Sequence, residues 1–224
     1  MKLLVLTFFA ILSQQLFSQD TTNYQIDLTG KYALQFQVAE NFKLTEFQGS
    51  IISAKYNLTN ALSLRFGISF NSQNHKHNQD NLILDTNEKY ISDYEMDNYS
   101  VQIKPQLIYS SPIMEDVSFY WGGGFLIMYE KNTENSESSV DTLFSTYVRK
   151  SSGFGYGLEA VFGVEWFVKN NISLSGEYGF QLSHIKINTK QTRTENGSNI
   201  QNNSDDSYTR GQGNSVRLGI SIYF

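Results

Sequence analysis

Eight stretches of this chain alternate apolar and polar residues with a period of two, each bounded by turn-forming residues. They run over residues 32–38, 52–58, 62–70, 99–109, 117–129, 154–166, 172–182 and 216–224. Alternation of this kind puts one strand face against an apolar medium and the other against a polar one. An even number of such strands closes as an up-and-down antiparallel sheet. The expected fold is all-β, an eight-stranded antiparallel barrel. The connections strengthen this. Thr59 and Asn60, the turn over 110–116 containing Pro112, and Lys169-Asn170-Asn171 are short, whereas 71–98, 130–153 and 186–214 are long and polar; the link over 40–46 is intermediate. Short turns at one end and long loops at the other are the layout of a transmembrane barrel.

Alternation alone does not say which face points outward, because a soluble ligand-binding barrel alternates too. Side-chain size decides. The polar face carries Gly67, Gly122, Gly124, Gly155, Gly157, Gly163, Gly179 and Gly219, while the apolar face is crowded with Phe, Tyr, Trp, Leu and Ile. An eight-stranded lumen is only wide enough to be filled by side chains, so the small residues belong inside and the aromatic face needs lipid. The same inner face holds Lys31, Lys55, Arg65, Lys104, Glu159, Glu165, Glu177 and Arg217. Facing lipid, each basic side chain near the midplane costs ~2–4 kcal/mol, and the set together exceeds a typical stability of ~5–15 kcal/mol. Turned inward, cations and carboxylates pair, and the expectation is a lumen plugged by an ion-pair network with Glu130 at its rim. Tyr32, Tyr56, Tyr109, Phe119, Trp121, Trp166 and Phe224 fall near one rim and Phe70, Tyr99, Tyr129, Phe154 and Tyr156 near the other, as two aromatic girdles.

Composition narrows the classes further. The chain has 224 residues, 17% charged and 14% aromatic, with 16 glycines, 2 prolines and no cysteine. Disulfides, thiolate metal sites and a lipidated cysteine are thereby excluded. A formal net charge of -5, with scattered acids, offers no footprint for nucleic acid. The opening MKLLVLTFFAILSQQLFSQD places Lys2 before an apolar run from Leu3 to Leu12 and then small Ser18, the order of a secretory signal too short to span a bilayer as a helix. The expected organisation is a signal peptide over 1–18, a short periplasmic segment over 19–29 and a barrel over 30–224.

The last eight residues read polar, any, Gly, any, any, apolar, any, aromatic, with Arg217, Gly219, Ile222 and Phe224 at the defining positions. They resemble the signal by which the barrel assembly machinery recognises outer-membrane substrates. The whole mature chain resembles the small eight-stranded outer-membrane barrel family, OmpA-like and OmpX-like in its transmembrane part, without a peptidoglycan-binding domain. The resemblance implies an integral outer-membrane protein of a Gram-negative envelope, with long loops outside and short turns and the N-terminus in the periplasm. It also implies a non-enzymatic role in envelope structure or surface interaction. The partners implied are outer-membrane lipid and lipopolysaccharide, the assembly machinery during biogenesis, and a loop-bound ligand or envelope protein. No cofactor is expected. Alternative readings are a PorT-like accessory barrel of a secretion or motility complex, a narrow channel, and a lipid-modifying enzyme.

Catalytic or metal chemistry finds little support in the residues. His75-Lys76-His77 with Asp80 places two imidazoles at alternate positions, which share one side of an extended chain, but no third fixed ligand follows. His184 is the titratable side chain of the lipid face, expected at the interface, with no serine partner on its strand face and acids only on the loops. Asp85, Glu88, Asp93, Glu95, Asp97, Glu134, Glu137, Asp141, Asp205 and Asp206 populate those loops, which are expected to be solvated and mobile.

Overall fold

The computed structural model describes residues 26–43, 48–83, 88–140, 143–195, 197–213 and 216–224. Over them the chain forms nine antiparallel strands and, among the described residues, no helix. They are β1 (Tyr32–Lys43), β2 (Gln48–Asn57), β3 (Leu62–Ile83), β4 (Glu88–Met114), β5 (Val117–Val140), β6 (Leu143–Lys169), β7 (Ile172–Glu195), β8 (Ser198–Gly213) and β9 (Arg217–Tyr223). The expected signal peptide and residues 19–25 lie outside the described residues. Eight strands close a ring in the order β1-β2-β3-β4-β5-β6-β7-β9. β9 completes it by pairing β1 through Leu34↔Ile222 and β7 through Leu174↔Ile220. β8 pairs the upper part of β7, from Phe180↔Gly213 to Glu195↔Ser198, so β8 and β9 in succession occupy the eighth position of the barrel.

Burial in the ring is inverted relative to a water-soluble protein. Leu64 is 48% exposed and its neighbour Arg65 is 4% exposed. Leu158, Phe162 and Trp166 lie outward while Glu159 and Glu165 are buried, as the size argument requires. From Trp166 to Tyr156 the outward face of β6 spans ten residue-to-residue steps. At ~3.3 Å per residue and a tilt of ~45° that is about 23 Å of height, close to the ~25 Å apolar band of an outer-membrane barrel. Neighbouring aromatics meet around it: Tyr32 and Tyr56 at 4.7 Å between ring centroids, Tyr109 and Trp121 at 5.6 Å.

Inside, glycine makes room where neighbouring strands come close. A Cβ at Gly124 would stand 1.9 Å from the Pro105 carbonyl oxygen, and one at Gly157 would stand 2.2 Å from that of Leu182. Pro105 has no N–H for the ladder. The β4–β5 register holds across it, from Ile103↔Ile127 to Gln106↔Gly124, with no pairing in between. In the last strand Arg217 is buried and Gly219 leaves the space a Cβ would contest with Gln37 and Ser175, while Ile222 and Phe224 face outward.

The long polar connections are not solvated loops, and here the sequence reading is corrected. β3 and β4 pair without interruption from Leu62↔Tyr109 to Ile83↔Glu88, β5 and β6 pair up to Val140↔Leu143, and β6 and β7 up to Ser145↔Glu195. Six strands, β3 to β8, therefore rise beyond the aromatic band as one curved sheet. The barrel wall already fixes register and direction, so each further residue pair adds to a ladder without a new loop to close. Polar cross-strand contacts replace apolar burial: Lys76 and Glu95 at 2.6 Å, Ser151 and Thr189 hydroxyls at 3.0 Å, and the Asn74–Asp97 hydrogen bond.

The glycine contacts set a contrast that unfolding in detergent will measure. Gly157→Val forces a side chain onto backbone and is expected to cost ~1–3 kcal/mol or more. Gly176→Ala meets nothing within 4 Å and is expected to stay within ~0.5 kcal/mol of the parent. Urea midpoints of the two variants, read from the heat-modifiable band, check both.

Candidate functional site

The lumen is filled in layers. At the end where the short turns lie, residues before β1 fold under the mouth: the Leu28 N–H donates to Asn60 Oδ1 at 2.7 Å and the Gly30 N–H to the Asn57 carbonyl at 2.8 Å. A positive φ of 75° at Gly30 permits that turn. Leu28 then packs with Ala33, Phe167 and Tyr223 as an apolar cap. Beside it the Asp27 carboxyl is held below the ordinary carboxylate range by the Thr29 backbone N–H and hydroxyl.

Above the cap sits the first charge cluster. Lys55 Nζ lies 3.1 Å from Glu165 Oε2 and donates to Tyr223 Oη at 3.1 Å. The other carboxylate oxygen, Oε1, accepts from Tyr223 Oη and Ser173 Oγ, each at 2.6 Å. Ile108, Tyr120 and Val161 form an apolar layer next. The cavity beside it, lined by Gln35, Lys55, Arg65 and Glu165 among others, measures about 10 Å³, no more than one water.

The second cluster is a lattice of two carboxylates and three cations. Glu177 receives Arg65 Nη1 on Oε2 at 2.6 Å and Arg217 Nη1 on Oε1 at 3.0 Å. Glu159 receives Arg217 Nη2 at 2.6 Å and Lys104 Nζ at 3.3 Å. Amides complete it: Gln106 accepts from Arg65 Nε and donates to Glu159 Oε2, both at 2.7 Å, and Gln181 donates to Glu159 Oε1 at 2.9 Å. Glu177 is 1% exposed and Glu159 2%, so these charges live by their partners alone.

Seven of the eight inward charges read from the sequence thus sit in the two clusters: Lys55 and Glu165 in the lower, Arg65, Lys104, Glu159, Glu177 and Arg217 in the upper. Lys31 does not join them. It precedes β1 at the mouth, is partly exposed, and makes no ion pair among the described residues, because water reaches it there. Gln35, Gln106, Gln181, Ser173, Tyr120 and Tyr223 satisfy the lattice without any charge to mark them in the sequence, although all lie at inward positions of their alternating runs.

Beyond the lattice the lumen widens into two concavities that share Asn71 and Ser100 in their walls. One of about 240 Å³ is floored by Lys104, Gln181 and Arg217, and one of about 560 Å³ lies inside the projecting sheet, lined by residues such as Asn71, Glu130, Asn132, Arg149 and Tyr208. His75 and His77 are exposed on the β3 extension, opposite Met96 and Tyr94, and Lys76 between them turns to Glu95; the side chain of Asp80 lies outside the described residues. Among the described residues no group of three metal-ligating side chains converges. His184 packs its ring 5.7 Å from that of Tyr156, with Nδ1 3.1 Å from the Thr209 hydroxyl.

Two measurements follow from the lattice. Glu177→Ala leaves Arg65 and Arg217 without their shared acceptor, and is expected to cost ~3–5 kcal/mol in detergent unfolding. In planar bilayers the parent is expected to show no steady conductance, and Glu159→Ala with Glu177→Ala to show openings; steady conductance in the parent contradicts the plug.

Residues 3–224 match the family model for the outer membrane protein β-barrel domain. No curated protein matches this chain. Among solved structures it is similar to a major outer membrane protein from Thermus thermophilus, at 14% identity and a TM-score of 0.40, covering 87% of this chain and 98% of that one. Similar too are CarO of Acinetobacter baumannii, at 13% identity and a TM-score of 0.37 over 88% and 98% of the two chains, and Ail, the attachment invasion locus protein of Yersinia pestis, at 14% and 0.35 over 88% and 99%. With a family match over nearly its whole length, on a closed ring whose apolar face is outward, this chain belongs to the outer membrane protein β-barrel domain family and is an integral outer-membrane β-barrel.

Proposed function

We propose that the protein is a non-enzymatic surface-interaction barrel, in which the plugged transmembrane ring is an anchor and the six-stranded sheet projects from the cell. The observation that carries this reading is the sheet itself, with an unpaired edge at each side. Beyond Phe70, β3 pairs only β4, and β8 pairs only β7 among the described residues. An open edge carries a row of free N–H and C=O groups, and an extended segment of another protein adds to it as a further strand. The edge strand β8 is exposed along its whole length. His184 meets the Thr209 hydroxyl and the Tyr156 ring, contacts of an interfacial side chain, in keeping with the non-enzymatic side of the reading. Recognition of β9 by the assembly machinery, with the short turns and N-terminus in the periplasm, belongs to the same reading.

The experiment is photo-cross-linking in intact cells, with the reactive side chain at Asn203 on the β8 edge or at Leu158 on the lipid-facing wall. The expected outcome is one dominant protein adduct from Asn203 and none from Leu158. No protein adduct from any β8 position between Ser198 and Gly213, with full surface accessibility to added protease, overturns the interaction role.

A further inference from the structure

The inner face of the projecting sheet is built in rows. One row runs in unbroken cross-strand register from Asn71 on β3 through Ser100, Glu130, Gly153 and Ile187 to Asp206 on β8. Parity turns it inward: Met128 and Ile185, one inward position lower on β5 and β7, are buried, and the intervening Tyr129 is exposed. This row floors the cavity of about 560 Å³. Under it Met128 and Ile185 join Leu126 in an apolar layer, against which Ile187 packs.

The next inward row up changes the chemistry. It reads Gln73, Asn98, Asn132, Ser151 and Thr189, amides and hydroxyls without a charge, and each borders the cavity. An amide offers donor and acceptor side by side and a hydroxyl serves as either, so this wall suits a ligand whose own groups do both. Part of the wall is unsatisfied. Asn71 Oδ1 and Asn132 Oδ1 are buried without a hydrogen-bond partner among the described residues, whereas the Ser151 and Thr189 hydroxyls meet at 3.0 Å. A buried acceptor lacking a donor is destabilising, and a ligand hydroxyl supplies the donor.

Two further features narrow the ligand. The Glu130 side chain lies over Gly153, where a Cβ would stand 2.8 Å from its Cγ, so the carboxylate is laid along the floor. It makes no ion pair among the described residues, and its two oxygens can accept from neighbouring hydroxyls of one sugar ring. Tyr208, opposite buried Ile185 and therefore inward, sets an aromatic ring beside the apolar layer, a surface for the C–H face of a pyranose. The charged residues bordering the cavity, Glu130, Asp206, Lys131 and Arg149, balance, which favours a neutral guest over an ion. We propose that this cavity is a binding site for a short, neutral, soluble oligosaccharide. Its volume falls within the ~300–1,000 Å³ of small-ligand sites. The site is separate from the β8 edge, and depends on the outward projection of the sheet only for the side from which sugar arrives.

The test uses the purified full barrel in a detergent without a sugar headgroup. Saturation-transfer NMR and calorimetry are run with maltotriose, cellotriose, laminaritriose, mannotriose and triacetylchitotriose, and with spermidine as a cationic comparison. At least one trisaccharide is expected to bind with a Kd of about 1 mM or tighter, and spermidine more weakly. Asn132→Ala and Glu130→Gln are each expected to weaken binding about tenfold, and Ser151→Trp, which fills the cavity, to abolish it. The heat-modifiable band shows that each variant is folded. Thr133→Ala, one residue from Asn132 on the outer face, is expected to leave the Kd within about twofold. No binding of any sugar of the panel, or binding unchanged in both Asn132→Ala and Glu130→Gln, overturns the site. Spermidine binding more tightly than every sugar overturns the neutral ligand. Sugar binding by the purified barrel without a β8 adduct in cells upholds the site and removes the edge-strand role alone.

Discussion

Closure governs this molecule, because in hydrocarbon every backbone N–H and C=O must find a partner within the protein and an open edge has none to offer. The seam is short. β9 pairs β1 from Ala33↔Tyr223 to Ala39↔Arg217, and the Phe224 N–H donates to the Tyr32 carbonyl at 2.9 Å. The strand that closes the ring also completes both charge clusters: Arg217 ties Glu159 to Glu177 in the upper one, and Tyr223 holds Lys55 and Glu165 in the lower. Sealing the wall and neutralising the interior are one structural event, so a barrel lacking β9 would expose edges and strand buried carboxylates together.

Legibility in the sequence follows dielectric contrast. Where one face meets lipid and the other a cramped lumen, as at Leu64 and Arg65 or Leu158 and Glu159, the period-two pattern is plain and the residues on each side are the ones expected. Above the band that contrast vanishes, since both faces of β3 to β8 meet water. Asn, Ser, Gln and charged residues then serve on either face, and a stretch such as NSQNHKHNQDN carries no hydrophobic period although it is strand throughout. What holds it is the ladder inherited from below, which no local pattern records. Lys31 departs from expectation for a related reason: parity gives its direction, and only the fold shows that it precedes β1 at the partly exposed rim, outside the sealed interior. The glutamines of the lattice carry no formal charge and so give no signal in the chain, yet Gln106 bridges Arg65 to Glu159.

The cations divide into two populations with different surroundings. Those within the barrel are buried, and removal from water is offset only by close carboxylates and amides. Those on the outer face of β5 to β7 remain in the hydrated zone, where desolvation is small and a mobile counterion suffices. Only the buried group depends on its carboxylate and amide partners.

The projecting sheet is not a complete cylinder. β1 reaches only Lys43 and β2 begins at Gln48, and β2 leaves β3 at Ser50↔Phe70, while β6 continues from Phe154 to Leu143, about 36 Å further at ~3.3 Å per residue. Among the described residues the palisade thus stands lower on the β1–β2 side, where Ser50, Ala39 and Arg217 border the smaller concavity. The rim is therefore lopsided, tall along β3 to β8 and low along β1 and β2.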